Sequence, residues 1–346
     1  MAPPIVITRA GMCTSVGHTA PAACAAIRAQ ITGFEETAFR FDGEWLVGAE
    51  VRLERPSSGP DKLLRMAESV VRECIEGLSR ESLREVPVIL NVAETTRPGR
   101  LQTLDMSFLR RLMQRLGNVL HPASHFLQNG RVGGVQALDL ACRALQERRC
   151  PACIVVGVDS FLTARTLSAY HGSRRLLTPV NSDGFIPGEA AGAVWLEPAV
   201  SATIPQLMIL GWGYGREAAH VSSDLPLKGI GLTEAITNAF AHGSVGYEGL
   251  DYRICDANGE QIIFKEAALA LGRTLRVHKG VFDIWHPADC IGEVGAAIVP
   301  CALAVGLDAA EKGYAPGPGV LAHFGNDDGQ RAAVTLRYES PQRRVA

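Results

Sequence analysis

Residues 130–157 read GRVGGVQALDLACRALQERRCPACIVVG. Val132, Val135, Leu138, Cys142 and Leu145 recur at helical spacing, which predicts a helix over Val132–Gln146 with an apolar face. The run ACIVVG at 152–157 then does the opposite of alternating. A strand that is apolar on both sides belongs in a sheet covered on both faces, and helix followed by such a strand is the grammar of an α/β protein.

The same grammar extends in both directions. Upstream, Ile5–Thr8 is a β-rich run, Gly11 suggests a turn, Ala20–Ala29 and Asp61–Leu78 read as helices, and VPVILNV at 86–92 is a buried strand bounded by proline and polar residues. Downstream, IPQLMILGWG, LTEAITNAFAHG, YRICDANG and FKEAALALGR read as strand, helix, strand with turn, and helix. VFDIWHPADCIGEVGAAIVPCALAVG follows as strand, loop and long apolar helix, and VLAHFG and RAAVTLRY close the chain as strands. Gly130-Arg-Val-Gly133 before one apolar helix is echoed by Gly292-Glu-Val-Gly295 before another, consistent with two related halves.

Composition bounds the function. The 346 residues are 47% apolar and 20% charged, enough for a large core and too apolar for disorder. A net charge of −2 suits neither nucleic acid nor an anionic membrane as partner. No stretch reaches the roughly 18 apolar residues of a membrane span, and MAPPIVITRAG lacks the basic-then-apolar plan of a secretory leader, so a cytoplasmic protein is expected. The nine cysteines, an odd number scattered through apolar segments, read as buried free thiols. Cys150 and Cys153 have CxxC spacing but no second pair to complete a metal site, so neither a metal nor a cofactor is implied.

Several segments resemble the β-ketoacyl synthase branch of the thiolase-like family. IVITRAGMCTSVG at 5–17 resembles its opening VVITGxGxVSPxG, and TPVNSDGFIPGEAAGAVWLEP at 178–198 resembles PFDxxRDGFxxGEGAGxxxLE, the most specific match. Arg131–Asp159 follows the family's nucleophile helix and next strand without a gap. In the second half, DANGEQIIFKEAALAL resembles AHGTGTxxNDxxEAxAL, DCIGEVGAA resembles GHxxGAAGA, and HFGNDDGQRAAV resembles GFGGTNAxxV. The resemblance implies an α/β, thiolase-like five-layer αβαβα fold. Its two similar halves would be residues 1–200 and 201–346, usually assembled as a homodimer, with the GxVG helices in the buried middle layer.

The resemblance also implies a chemistry that this sequence departs from. Family members condense acyl groups through a cysteine at the N-terminus of the first middle helix, where the positive helix end favours a thiolate, assisted by two histidines. Arg131 occupies the cysteine position, Asn258 the first histidine position and Asp289 the second. A guanidinium keeps its proton and cannot be acylated, Asn has none to exchange, and Asp carries the wrong charge to stabilise an enolate. Cys290 with His286 is a remote substitute pair. Glu189 and Glu266 match family positions and read as polar anchors.

A buried Arg131 needs an anion, which Asp289 or Glu293 is expected to supply; Arg131, Asp289, Glu293 and Asn258 are therefore the candidate pocket and ion-pair residues. A weaker expectation is an anionic ligand held by Arg131 and Asn258. The function expected is a pseudoenzyme: a non-catalytic partner, scaffold or adaptor. It would either be chain-length-factor-like, forming a homodimer or a heterodimer with an active ketosynthase and meeting an acyl-carrier protein, or be associated with a bacterial secretion and effector gene cluster. The alternatives are a 3-oxoacyl-ACP synthase or other acyltransferase using non-standard residues, and an acyl- or anion-binding module with a vestigial pocket.

Overall fold

A computed structural model describes residues 3–79, 84–199 and 205–340. Seven strands precede the undescribed stretch at 200–204, five of them in the main sheet: β1 (Ile5–Cys13), β4 (Val88–Asn91), β5 (His125–Leu127), β6 (Cys153–Ser160) and β7 (Glu189–Pro198). Five follow it: β8 (Gln206–Arg216), β9 (Tyr252–Cys255), β10 (Ile284–Trp285), β11 (Gly319–Gly325) and β12 (Gln330–Glu339). The junction expected at 200 and 201 thus lies outside the described residues.

These ten strands join one sheet in the order β10-β9-β11-β12-β8-β1-β7-β6-β4-β5. Read outward from the central antiparallel β1–β8 pair, each half places its first, fifth, fourth, second and third strand in turn. The strand directions repeat as well: β4 is parallel to β5 and β6 as β9 is to β10 and β11, while β7 and β12 run antiparallel to their neighbours. The two halves are therefore copies of one plan. A separate hairpin, β2 (Glu35–Phe41) and β3 (Glu44–Gly48), was not anticipated, although Asp42-Gly43 between two alternating segments signals it.

Helices α1 (Ala20–Arg28), α2 (Gly59–Cys74), α3 (Met106–Arg115), α4 (Gly130–Gln146) and α5 (Ala164–Gly172) belong to the first half. The second half carries α6 (Ile230–Gly243), α7 (Gln261–Thr274), the single turn α8 (Ala288–Ile291) and α9 (Ile298–Glu311). α2 packs on β1, β6 and β7, and α6 on β8 and β12, whereas α4 and α9 touch each other and strands of both halves. This is the layering of a helix pair held between two sheet halves with helices outside.

β6 shows why its sequence does not alternate. Cys153 and Val155 enter the central core with α4 and α9, while Ile154, Val156 and Val158 enter the outer core with α2 and α3. β11 repeats the pattern, with Val320, Ala322 and Phe324 central and Leu321 outer. The apolar residues of such a strand are buried on either face, each worth about 1.5–3 kcal/mol for a Val or Leu.

Two sequence readings are corrected. Gly11 is no turn, because β1 runs through it to Cys13. The second GxVG does not lead straight into a helix: Gly292 closes α8, and a 3-10 turn at Gly295–Ala297 precedes α9. Gly130 and Gly295 both have positive φ, and a Cβ there would lie 2.4 Å from Glu94 Oε2 and 2.1 Å from Asp159 Oδ2 respectively. Only glycine meets both demands. Among the described residues, no helix is long and apolar enough to cross a membrane.

Candidate functional site

The start of α4 is held from both halves. The Gly130 N–H donates to Val92 O, Asn91 Nδ2 donates to Gly130 O at 2.6 Å, and the Val132 N–H donates to Asn326 Oδ1 at 3.1 Å. Asn326 Nδ2 also donates to Asn129 O. These contacts fix the first turn of α4 against the β11–β12 turn, and Arg131 is buried between them at 7% exposure.

Three carboxylates of the second half surround the Arg131 guanidinium. Nη1 donates to Glu293 Oε2 at 2.7 Å, Nη2 donates to Asp327 Oδ1 at 2.5 Å, and Nε lies 3.6 Å from Asp256 Oδ2. A cation at a helix N-terminus opposes the helix dipole by about 0.3–1 kcal/mol. Close buried carboxylates outweigh that. Burial by itself would lower the Arg131 pKa, but Glu293, Asp327 and Asp256 hold it well above the ordinary value.

The network continues through Asp327, which accepts Arg175 Nη1 at 2.5 Å and the Tyr170 hydroxyl at 3.2 Å. Arg175 also grips Glu260 with two bonds of 2.7 Å. Asn258 Nδ2 donates to Glu293 Oε2 at 2.6 Å, and the Gly295 N–H donates to Glu293 Oε1 at 2.8 Å. Beside it, Arg97 pairs bidentately with Glu94 at 2.7 Å and reaches Asp159 at 3.2 Å.

Arg131 and Arg175 thus face four carboxylates, Glu293, Asp327, Asp256 and Glu260, an excess of negative charge. Burial pushes the Asp256 carboxyl up to about 6 despite Arg131. Burial would raise Asp327 too, but Arg131 and Arg175 together hold it below the ordinary carboxylate range.

The structure therefore brings Arg131, Asn258 and Glu293 together. Asp289 does not join them. It lies on the outer side of the single turn α8 with its side chain 59% exposed, and its Oδ2 is 2.7 Å from His286 Nδ1. The reason is local: α8 ends at Gly292 with φ 73°, which turns the chain so that Glu293, not Asp289, faces Arg131. Cys290 has no hydrogen bond to His286, and burial raises its thiol, followed in effect by Asp289.

The remaining candidates are anchors. Glu189 accepts the Val51 N–H and the Ser160 hydroxyl, each at 2.9 Å, and pairs with Lys62. Glu266 takes both arms of Arg331. All nine cysteines are free and buried, and burial raises each thiol above its ordinary value. Among the described residues no cluster could hold a metal ion. The cavity beside Arg131, Arg175 and Asp327 offers about 40 Å³, room for one or two waters rather than an acyl chain.

Asp256, Glu260, Asp327 and Arg175 were not singled out from the sequence. A signal existed for two of them: Glu260 and Asp327 stand where the family patterns for DANGEQ and HFGNDDG carry threonine. Carboxylates at such positions are what a buried arginine requires.

A family model described as the N-terminal domain of beta-ketoacyl synthase matches residues 132–202. No curated protein sequence matches the chain. Solved structures match nearly all of it. AntDE:AntF, a type II PKS acyl-carrier protein in complex with its ketosynthase bound to the hexaketide, aligns at a TM-score of 0.79 and 14% identity, covering 97% of this chain and 100% of the other. The ishigamide ketosynthase/chain length factor aligns at 0.77 and 16% identity, covering 97% and 99%. The ketosynthase ApeO in complex with its chain length factor ApeC, from Xenorhabdus doucetiae, aligns at 0.73 and 13% identity, covering 97% and 98%. At these identities the likeness is one of fold.

Proposed function

We propose that this chain, a protein of thiolase-like ketosynthase fold, does not condense acyl groups and acts as a non-catalytic, dimeric, cytoplasmic partner, scaffold or adaptor. One observation carries the reading. The helix start where the family resemblance expects a thiolate holds the buried Arg131 guanidinium, already engaged by Glu293, Asp327 and Asp256. A guanidinium cannot form a thioester, and this one is buried with each nitrogen facing a carboxylate.

Two further observations support it. No cysteine stands at that helix start, and burial keeps every thiol protonated. An anion-binding module is disfavoured because each nitrogen of Arg131 already faces a carboxylate and the adjoining cavity is about 40 Å³. The network instead ties α4 of the first half to the loops of the second, which suits a protein whose shape is its working part. The matched ketosynthase complexes with a chain length factor or an acyl-carrier protein make an active ketosynthase the first partner to test.

The test has two arms. Intact-protein mass spectrometry after incubation with acyl-CoA and acyl-loaded carrier protein is expected to show unmodified mass, and a stable adduct on any residue would overturn the non-catalytic reading. Co-expression with a ketosynthase is expected to give a stoichiometric complex on size exclusion, while persistent separate elution would remove the chain-length-factor version.

A further inference from the structure

Asp289, absent from the charged network, helps line a different cleft. The cleft, about 350 Å³, opens between the C-terminal end of α1, the edge strand β10, the turn α8 and helix α9. Its volume falls at the small end of ligand sites. Much of its lining is apolar: Ile27, Ile284, Pro287, Val305 and Cys290. Two aromatic rings, Trp285 and Tyr314, lie almost parallel at 22° and 6.2 Å between centroids, too close to admit a third ring between them. A planar or aliphatic body would lie along them rather than inside.

The rim is polarised. On one side the Arg28 guanidinium sits 4.2 Å over the Tyr314 ring. It has no carboxylate or hydrogen-bond partner among the described residues, unlike Arg131, Arg175 and Arg331. A guanidinium stacked on a ring is attracted through its face, which leaves its in-plane N–H fork for a carboxylate. Asp289, which also lines the cleft, holds a carboxylate against His286 at 2.7 Å. That charge disfavours a second anion at its end of the cleft.

We infer that this cleft binds a small apolar monocarboxylate, with the carboxylate on Arg28 and the apolar body along Trp285 and Tyr314. The site is separate from the vestigial one and does not depend on whether that site is silent. Arg28 supplies affinity for the charge and Asp289 selects against dianions.

Isothermal titration of the full chain with 3-phenylpropionate, its neutral amide and 2-phenylsuccinate tests the inference. The acid is expected to bind saturably and the amide about tenfold or more weakly, because a charge-assisted pair is lost. Arg28→Gln should erase that difference, and since Arg28 is exposed the variant should remain folded. The dianion should bind more weakly than the monoanion and recover in Asp289→Asn, whose side chain is also exposed. Equal affinity for acid and amide, an Arg28→Gln variant that binds the acid unchanged, or no saturable heat at millimolar concentration would each overturn it.

Discussion

Replacing Arg131 with methionine keeps length and apolar bulk while removing the charge. Three carboxylates then lose a cation, though unequally. Asp327 keeps Arg175, whereas Glu293 keeps only the Asn258 amide and the Gly295 N–H, and Asp256 keeps the Gly325 N–H. Breaking one side of a buried ion pair costs about 3–5 kcal/mol, and the surviving hydrogen bonds place Arg131→Met toward the lower end. The loss depends on pH. Removing the cation raises the folded-state pKa of Asp256 further, and a carboxyl raised on folding costs stability that grows as pH climbs from its unfolded value toward its folded one. The deficit should therefore be larger at pH 8 than at pH 5, by about 1–3 kcal/mol. Guanidinium unfolding followed by far-UV circular dichroism at both pH values measures it. A loss under about 1 kcal/mol at pH 8, or a larger loss at pH 5, would refute the reasoning.

Three other outcomes are expected. Asp256 titrates at about 6 when folded, so ionising it costs the native protein about 3 kcal/mol as pH rises from 4 to 8; Asp256→Asn should lose that decline, gaining relative to wild type with rising pH in urea titrations. The nine buried thiols should resist a disulfide reagent at neutral pH in the native protein and all react once it is unfolded, so a fast-reacting native thiol would contradict the burial. Arg131→Cys places a thiol among Glu293, Asp327 and Asp256, which should outweigh the helix end and hold its pKa above the ordinary value, seen as slow alkylation at pH 7; thioester formation with acyl-CoA would show that the surroundings still support the old chemistry.

Much of the fold was legible because it rests on local chemistry. Unalternating apolar runs such as ACIVVG marked strands covered on both faces, and the spacing of Val132 to Leu145 marked the middle helix. The placement of Arg131 at the start of that helix could likewise be read by position alone, as could the need for a carboxylate beside it. The β2–β3 hairpin and α3 went unread although each is periodic: burial alternates through both strands and falls on Phe108, Leu109, Leu112 and Met113 in α3.

Which carboxylates answer Arg131 was a matter of tertiary structure. Asp289 and Glu293 lie four positions apart, but the positive φ of Gly292 turns one outward to His286 and the other inward to Arg131. Asp256 and Asp327 are more than 100 residues from Arg131 and meet it only because β9 and β11 are adjacent parallel strands whose ends open beside the start of α4. Chain order determined that a cation stands at the start of the middle helix. The approach of the two halves decided that it would be a buried, saturated ion cluster, because electrostatic pairing depends on distance in space and not on separation in sequence.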